Sequence, residues 1–168
     1  MNIQEAIATE ETDRFLRAAN EFCNELELGT TSELDFCNQL FIQVSNLIFR
    51  ASQLPNIELD NNEDFDNRLT TDELQPLLSQ TSERLGTSRF YWTKFNPIDD
   101  DDMELVAGDL LDDLADMYAD IKPNLDLIEH GRTAEQEHAL WELKFFFETH
   151  WGKHAVDALR TLYFLTKN

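Results

Sequence analysis

Two histidines and a stripe of aspartates hold most of the chemistry this sequence offers. His150 and His154 stand four apart in the run His150-Trp151-Gly152-Lys153-His154. On a helix advancing about 100° per residue they lie about 40° apart, on one face. Upstream, Asp109, Asp113, Asp116 and Asp120 are spaced four, three and four residues apart. That spacing sets all four within about 60° of one helix face, with Asp113 nearest the apolar side and Asp112 pointing outward. Imidazoles at i and i+4 facing carboxylates are ligands for a divalent transition metal. An open coordination position on such a metal activates water. The same groups have a plainer use: imidazole N–H groups donating to carboxylates form a buried polar layer that fixes helix register.

Two helices must bring these groups together. Thr133-Ala134-Glu135-Gln136 has the form of a capping box. Beyond it Leu140, Leu143, Phe147, Trp151, Ala155, Ala158, Leu162 and Leu165 recur at helical spacing. The pattern predicts one helix from Thr133 to Thr166, with Gly152 marking a bend or a close contact at a cost of about 1 kcal/mol. The aspartates fall on a helix predicted from Asp101 to Glu129. Its apolar face is Leu110, Leu111, Leu114, Met117, Tyr118 and Ile121, the acidic run Asp99 to Asp102 sits at its N-terminus, and Pro123 either kinks it or splits off a last turn. A tight turn at Gly131 pairs the two helices antiparallel. Equal counting from that turn sets His150 level with Asp112 or Asp113, and His154 level with Gly108 or Asp109. The candidate metal ligands are therefore His150, His154, Asp113 and Asp109, with Asp116 and Asp157 next in line.

Recognised catalytic motifs do not fit. Trp151 stands where a zincin pair needs Glu. Glu135-Gln136-Glu137-His138 supplies one Glu-x-x-His where a di-iron bundle needs two. The acidic stripe has a likeness to helical nucleotide pyrophosphohydrolases, but histidines face the acids here instead of glutamate pairs. Asp60-Asn61-Asn62-Glu63-Asp64-Phe65 begins like a calcium loop, but Phe65 replaces the required Gly and Thr71 the twelfth-position Glu.

The remaining chain reads as helices as well. One is predicted from Asn2 to Leu28, with core stripe Phe15, Ala18, Ala19, Phe22, Cys23 and Leu26. A second follows the box Thr30-Thr31-Ser32-Glu33 and carries Leu34, Cys37, Leu40, Phe41, Val44, Leu47, Ile48, Ala51 and Leu54 up to Pro55. A short helix runs from Asp72 to Leu85 behind Thr71 as N-cap. Four aromatics then fall within Arg89-Phe90-Tyr91-Trp92-Thr93-Lys94-Phe95. Such a segment either plugs the end of a bundle or forms a partner surface. The expected fold class is all-α: an up-down four-helix bundle with a short extra helix and an aromatic crossing segment, a single domain over 1–168.

Composition bounds function. Thirty-four acids against 13 bases give a net charge of −21. Phosphate-directed nucleic-acid binding and docking on anionic membranes are both disfavoured. The N-terminus has no secretory pattern and no stretch reaches membrane-span length, so a cytoplasmic protein is expected. Cys23 and Cys37 read as buried free thiols.

Asp112-Asp113-Leu114-Ala115-Asp116-Met117-Tyr118-Ala119-Asp120 and His150-Trp151-Gly152-Lys153-His154-Ala155-Val156-Asp157-Ala158-Leu159-Arg160, together with the Tyr91-Trp92 pair, resemble an uncharacterised family of bacterial helical proteins, a domain of unknown function. The resemblance spans about Asp13 to Phe164 and implies an all-helical bundle from a bacterium. It implies no activity and no catalytic residues. The expected function is a soluble, cytoplasmic, non-enzymatic binding or accessory protein with an acidic surface and a protein partner. A divalent-metal-dependent hydrolase built on the His/Asp layer is the alternative, and an acidic inhibitor mimicking nucleic acid is a third.

Overall fold

The computed structural model describes residues 2–29, 32–59, 63, 65–101 and 103–167. The calcium-like segment falls largely on Asp60, Asn61, Asn62 and Asp64, outside the described residues, as do Thr30 and Thr31 of the second capping box. Among the described residues the fold is all-α apart from one small two-stranded sheet. In chain order the elements are α1 (Ile3–Ile7), α2 (Glu10–Leu28), α3 (Glu33–Ala51), α4 (Thr71–Leu85), β1 (Phe90–Thr93), β2 (Val106–Asp109), α5 (Leu110–His130), α6 (Thr133–Thr149) and α7 (Trp151–Lys167).

Apolar residues at three- and four-residue spacing build the core. On α2 the buried set is Phe15, Ala18, Ala19, Phe22, Cys23 and Leu26, with Thr12 above them. This is the stripe the sequence predicts. On α3 it is Phe36, Cys37, Leu40, Val44, Leu47 and Ala51. Phe36 takes the place expected of Leu34, which is exposed. The Phe36 ring lies under the Arg84 guanidinium at 3.4 Å, and Arg84 also bridges Glu25 at 3.0 Å. That pair ties α4 across α2 and α3. Among the long helices, α2 packs on α3 and α5, α3 on α7, and α5 on both α6 and α7. No helix among the described residues is long and apolar enough to cross a membrane.

Three expected boundaries change. The first helix divides at Ala8, where the Thr9 hydroxyl caps α2 by accepting from the Thr12 N–H. The helix expected from Asp101 starts nine residues later, at Leu110, because Val106–Asp109 form a strand instead. Phe90-Tyr91-Trp92-Thr93 is rich in the aromatic and β-branched types that favour strands, and it pairs antiparallel with Val106–Asp109 in the register Tyr91↔Gly108 and Trp92↔Ala107. Pro123 does not split α5, which stays helical to His130.

The third change is in the last segment. The helix expected from Thr133 to Thr166 breaks at His150, whose backbone lies at φ −141°, ψ −83°. Gly152 permits the break: a Cβ there would lie 2.0 Å from the Phe147 carbonyl oxygen, inside any allowed contact. Trp151 fills the corner. Its ring packs against Phe15 and Phe147, and its indole N–H donates to the Leu143 carbonyl at 3.2 Å. The cap of α6 also differs from the expected box. Arg132 is the N-cap residue, and its backbone N–H donates to the Glu135 carboxylate at 2.6 Å.

Candidate functional site

Helices α5 and α7 each present two faces. Leu110, Leu114, Met117 and Ile121 of α5 and Trp151, Ala155, Ala158 and Leu162 of α7 are buried in the core. One step around, Asp113, Asp116 and Asp120 of α5 meet His154 of α7 and His150 at the break just before it. His150 Nδ1 lies 2.6 Å from Asp120 Oδ2, and His154 Nδ1 lies 2.9 Å from Asp113 Oδ1. A carboxylate only accepts, so each ring donates its Nδ1–H. On its other side His154 Nε2 is 3.4 Å from Asp116 Oδ2. The two rings stand edge to face with centroids 5.0 Å apart. Asp116, His150 and His154 can each offer one ligand atom, all lying within 4.8 Å of one another.

Asp113 is the hub of the layer. Its side chain is 8% exposed, and its second oxygen accepts from the Tyr91 hydroxyl at 2.5 Å. Tyr91 reaches it from β1 only because Gly108 stands opposite: a Cβ there would lie 2.3 Å from the Tyr91 ring. Tyr91 is a member of the layer that helical spacing could not supply, since its signal lies in strand pairing. The remaining aromatics of that segment do not plug the bundle. Phe90, Trp92 and Phe95 are exposed, as are Ile98, Met103 and Leu105 beyond them.

Of the four expected ligands, the structure brings together His150, His154 and Asp113, with Asp113 behind His154 rather than beside both rings. Asp109 is not in the layer. It caps α5, accepting from the Leu111 N–H at 3.0 Å, and bridges Arg89 at 3.2 Å. The register is shifted: His150 meets Asp120, not Asp112 or Asp113, and His154 meets Asp113 and Asp116. The chain breaks at His150 into two helices, so residues counted from Gly131 do not advance along α5 one for one as equal counting along a single helix assumes. Asp116, expected next in line, and Asp120, placed only in the stripe, move into first contact with the rings.

The electrostatics follow from this crowding. The hydrogen bond to Asp113 raises the His154 pKa above its ordinary value, and burial opposes it. Burial raises the Asp120 carboxyl against the opposing pull of His150. Asp157 is raised by burial and by the charge of Asp113. Burial and the bond to Asp113 keep Tyr91 a neutral donor far above the usual phenol range. The cysteines offer no competing chemistry. Both are buried free thiols, Cys37 pushed up to about 11 by burial, so neither supplies a thiolate at neutral pH.

No curated protein matches this chain. The crystal structure of protein BF1032 from Bacteroides fragilis superposes with a TM-score of 0.81 at 23% identity, over 94% of this chain and 93% of that one. At that identity the likeness shows the shared fold. Residues 6–168 match the domain of unknown function DUF5063, so the chain belongs to that family.

Proposed function

We propose that the protein binds a divalent transition metal between α5 and α7, through Asp116, His150 and His154. One observation carries this reading. Both imidazoles give their Nδ1–H to a carboxylate, which leaves Nε2 of each ring as a lone-pair donor, and one ligand atom from each ring and from Asp116 lie within 4.8 Å of one another. Carboxylates behind metal-binding histidines fix the tautomer and raise ligand basicity. Two imidazoles and one carboxylate make a facial set suited to Fe²⁺, Mn²⁺ or Zn²⁺ with positions left open. Ligands about 2.1 Å from one metal stand about 3.4 Å apart. His154 Nε2 and Asp116 Oδ2 already have that separation, and the half-exposed His150 ring stands beside them, held from behind by Asp120. Water on such a metal is the species that hydrolytic chemistry would use.

Equilibrium dialysis of chelator-stripped protein against Mn²⁺, Fe²⁺ or Zn²⁺, followed by elemental analysis, tests the reading. One equivalent retained by the native chain and by Asp109→Asn, but not by His154→Ala, supports it. Retention by His154→Ala sinks it.

A protein partner remains a second proposal, favoured by the exposed Trp92, Phe95, Ile98 and Met103 of the hairpin. Uncovered apolar patches of this kind mark interaction sites. Photo-crosslinking from position 92 in cells should give one discrete adduct, and a featureless smear would remove the idea.

A further inference from the structure

We infer that the cavity beside the histidine layer is a binding site for a small organic cation with an aromatic or apolar body. The cavity has a volume of about 280 Å³ and lies between residues 65–68, α5 and α6. Asp120 forms part of its wall. One oxygen of that carboxylate is held by His150, which leaves the other as an acceptor. Glu142 adds a second carboxylate to the lining. The cavity's own cation, Arg68, is already paired with Asp66 at 3.3 Å. The lining is therefore net negative.

The polar groups around it are engaged as donors. The Asn67 amide N–H donates to Asn124 Oδ1 at 2.9 Å, and the Asn124 amide donates to the Asp120 carbonyl at 2.9 Å. The acceptors left in the lining include carboxylate oxygens of Asp120 and Glu142, which suit a ligand with several N–H donors. The rings of Phe65 and Phe146 supply apolar wall and faces that attract a cation. Behind Glu142 and Phe65 sits His138, its side chain 9% exposed. Its Nε2 is 3.2 Å from Glu142 Oε1, yet neither ring nitrogen has a hydrogen bond among the described residues. The ring's close approach to Glu142 helps place that carboxylate at the cavity wall. The net charge of −21 acts in the same direction, concentrating cations and repelling anions.

The site needs no metal, so its test is run on chelator-stripped protein and stands or falls apart from the metal reading. The probes are benzamidinium and phenethylammonium, with 3-phenylpropionate as the anion of matching shape, each titrated by calorimetry at 0.3 M salt to screen non-specific attraction. Saturable one-to-one binding is expected for at least one of the two cations, with none for the anion. Glu142→Gln and Phe146→Ala should each weaken it tenfold or more while circular dichroism stays native. Failure of both cations to bind overturns the inference. So does binding that survives both substitutions, or equal binding of the anion.

Discussion

The α2–α3 seam and the α5–α7 seam are built from the same kind of helix but do opposite things with their contact residues. On α2 and α3, which pack together, the core residues include Phe15, Phe22, Leu26, Phe36, Leu40 and Leu47, all fully buried. Burying such side chains is favourable in proportion to area, at about 1.5–3 kcal/mol each, and needs no directed partner. Along the outer edge of α5–α7 the contacts are Asp113, Asp116, Asp120, His150 and His154, where every group must be matched in direction and charge. Ion pairs taken out of water return little net stability and are costly when broken. Apolar side chains of similar volume would close that edge at least as well. The difference teaches that the α5–α7 edge adds less to stability than the α2–α3 seam, which supports the coordination we propose for it.

Substitutions can break this contrast or sharpen it. The largest loss of stability is expected where the core enters the break. Trp151→Ala removes a fully buried ring stacked near Phe15 and should cost about 3–5 kcal/mol in denaturant unfolding. Next comes Asp113→Ala, which strips the acceptor from both Tyr91 and His154. Stranding two part-buried donors in this way should cost about 2 kcal/mol. Tyr91→Phe, which removes one donor and keeps the ring, should cost about 1.5 kcal/mol. It should also raise the His154 pKa further in an NMR titration, because Asp113 loses its competing proton donor. The surface pair Arg14–Glu10 gives the lower bound: Arg14→Ala should change stability by no more than about 0.5 kcal/mol. An Asp113→Ala variant as stable as Arg14→Ala would erase the distinction between the layer and ordinary surface charge.

The pH dependence has two opposed signs. The pKa of His154 is raised on folding, chiefly by Asp113. Its contribution to the stability of the metal-free protein is therefore fully present below the unfolded value of about 6.5 and is lost as pH rises through the folded value. Metal affinity runs the other way, because the ring must give up its proton to coordinate. Melting temperatures measured across pH 5–9 with and without Mn²⁺ should diverge as pH rises. Parallel curves would mean that the metal does not compete for that nitrogen.

Much of the core was legible because helical periodicity reports it directly, as the α2 stripe shows residue for residue. The aspartate spacing likewise identified the right face of α5. What periodicity could not register was a change of element. Val106-Ala107-Gly108-Asp109 precedes an apolar helical run, so periodicity extends the helix backward through a strand and makes Asp109 a layer member instead of a cap. The break at His150 was signalled by Gly152 alone. A single glycine states that a backbone can bend, not that it does, and only the fit of Trp151 against Phe15 and Phe147 decides it. Tyr91 was out of reach for a related reason. Its partnership with Asp113 depends on pairing across 16 intervening residues, opposite a glycine.

The central claim is that Asp116, His150 and His154 close on one metal ion. Crystals soaked in Mn²⁺ and measured for anomalous scattering test it most directly. The account predicts a single strong peak at about 2.0–2.3 Å from Nε2 of both histidines and from the Asp116 carboxylate, with Nδ1 of each ring still on Asp120 and Asp113. A protein without a peak between α5 and α7, or with its manganese held elsewhere, would contradict it.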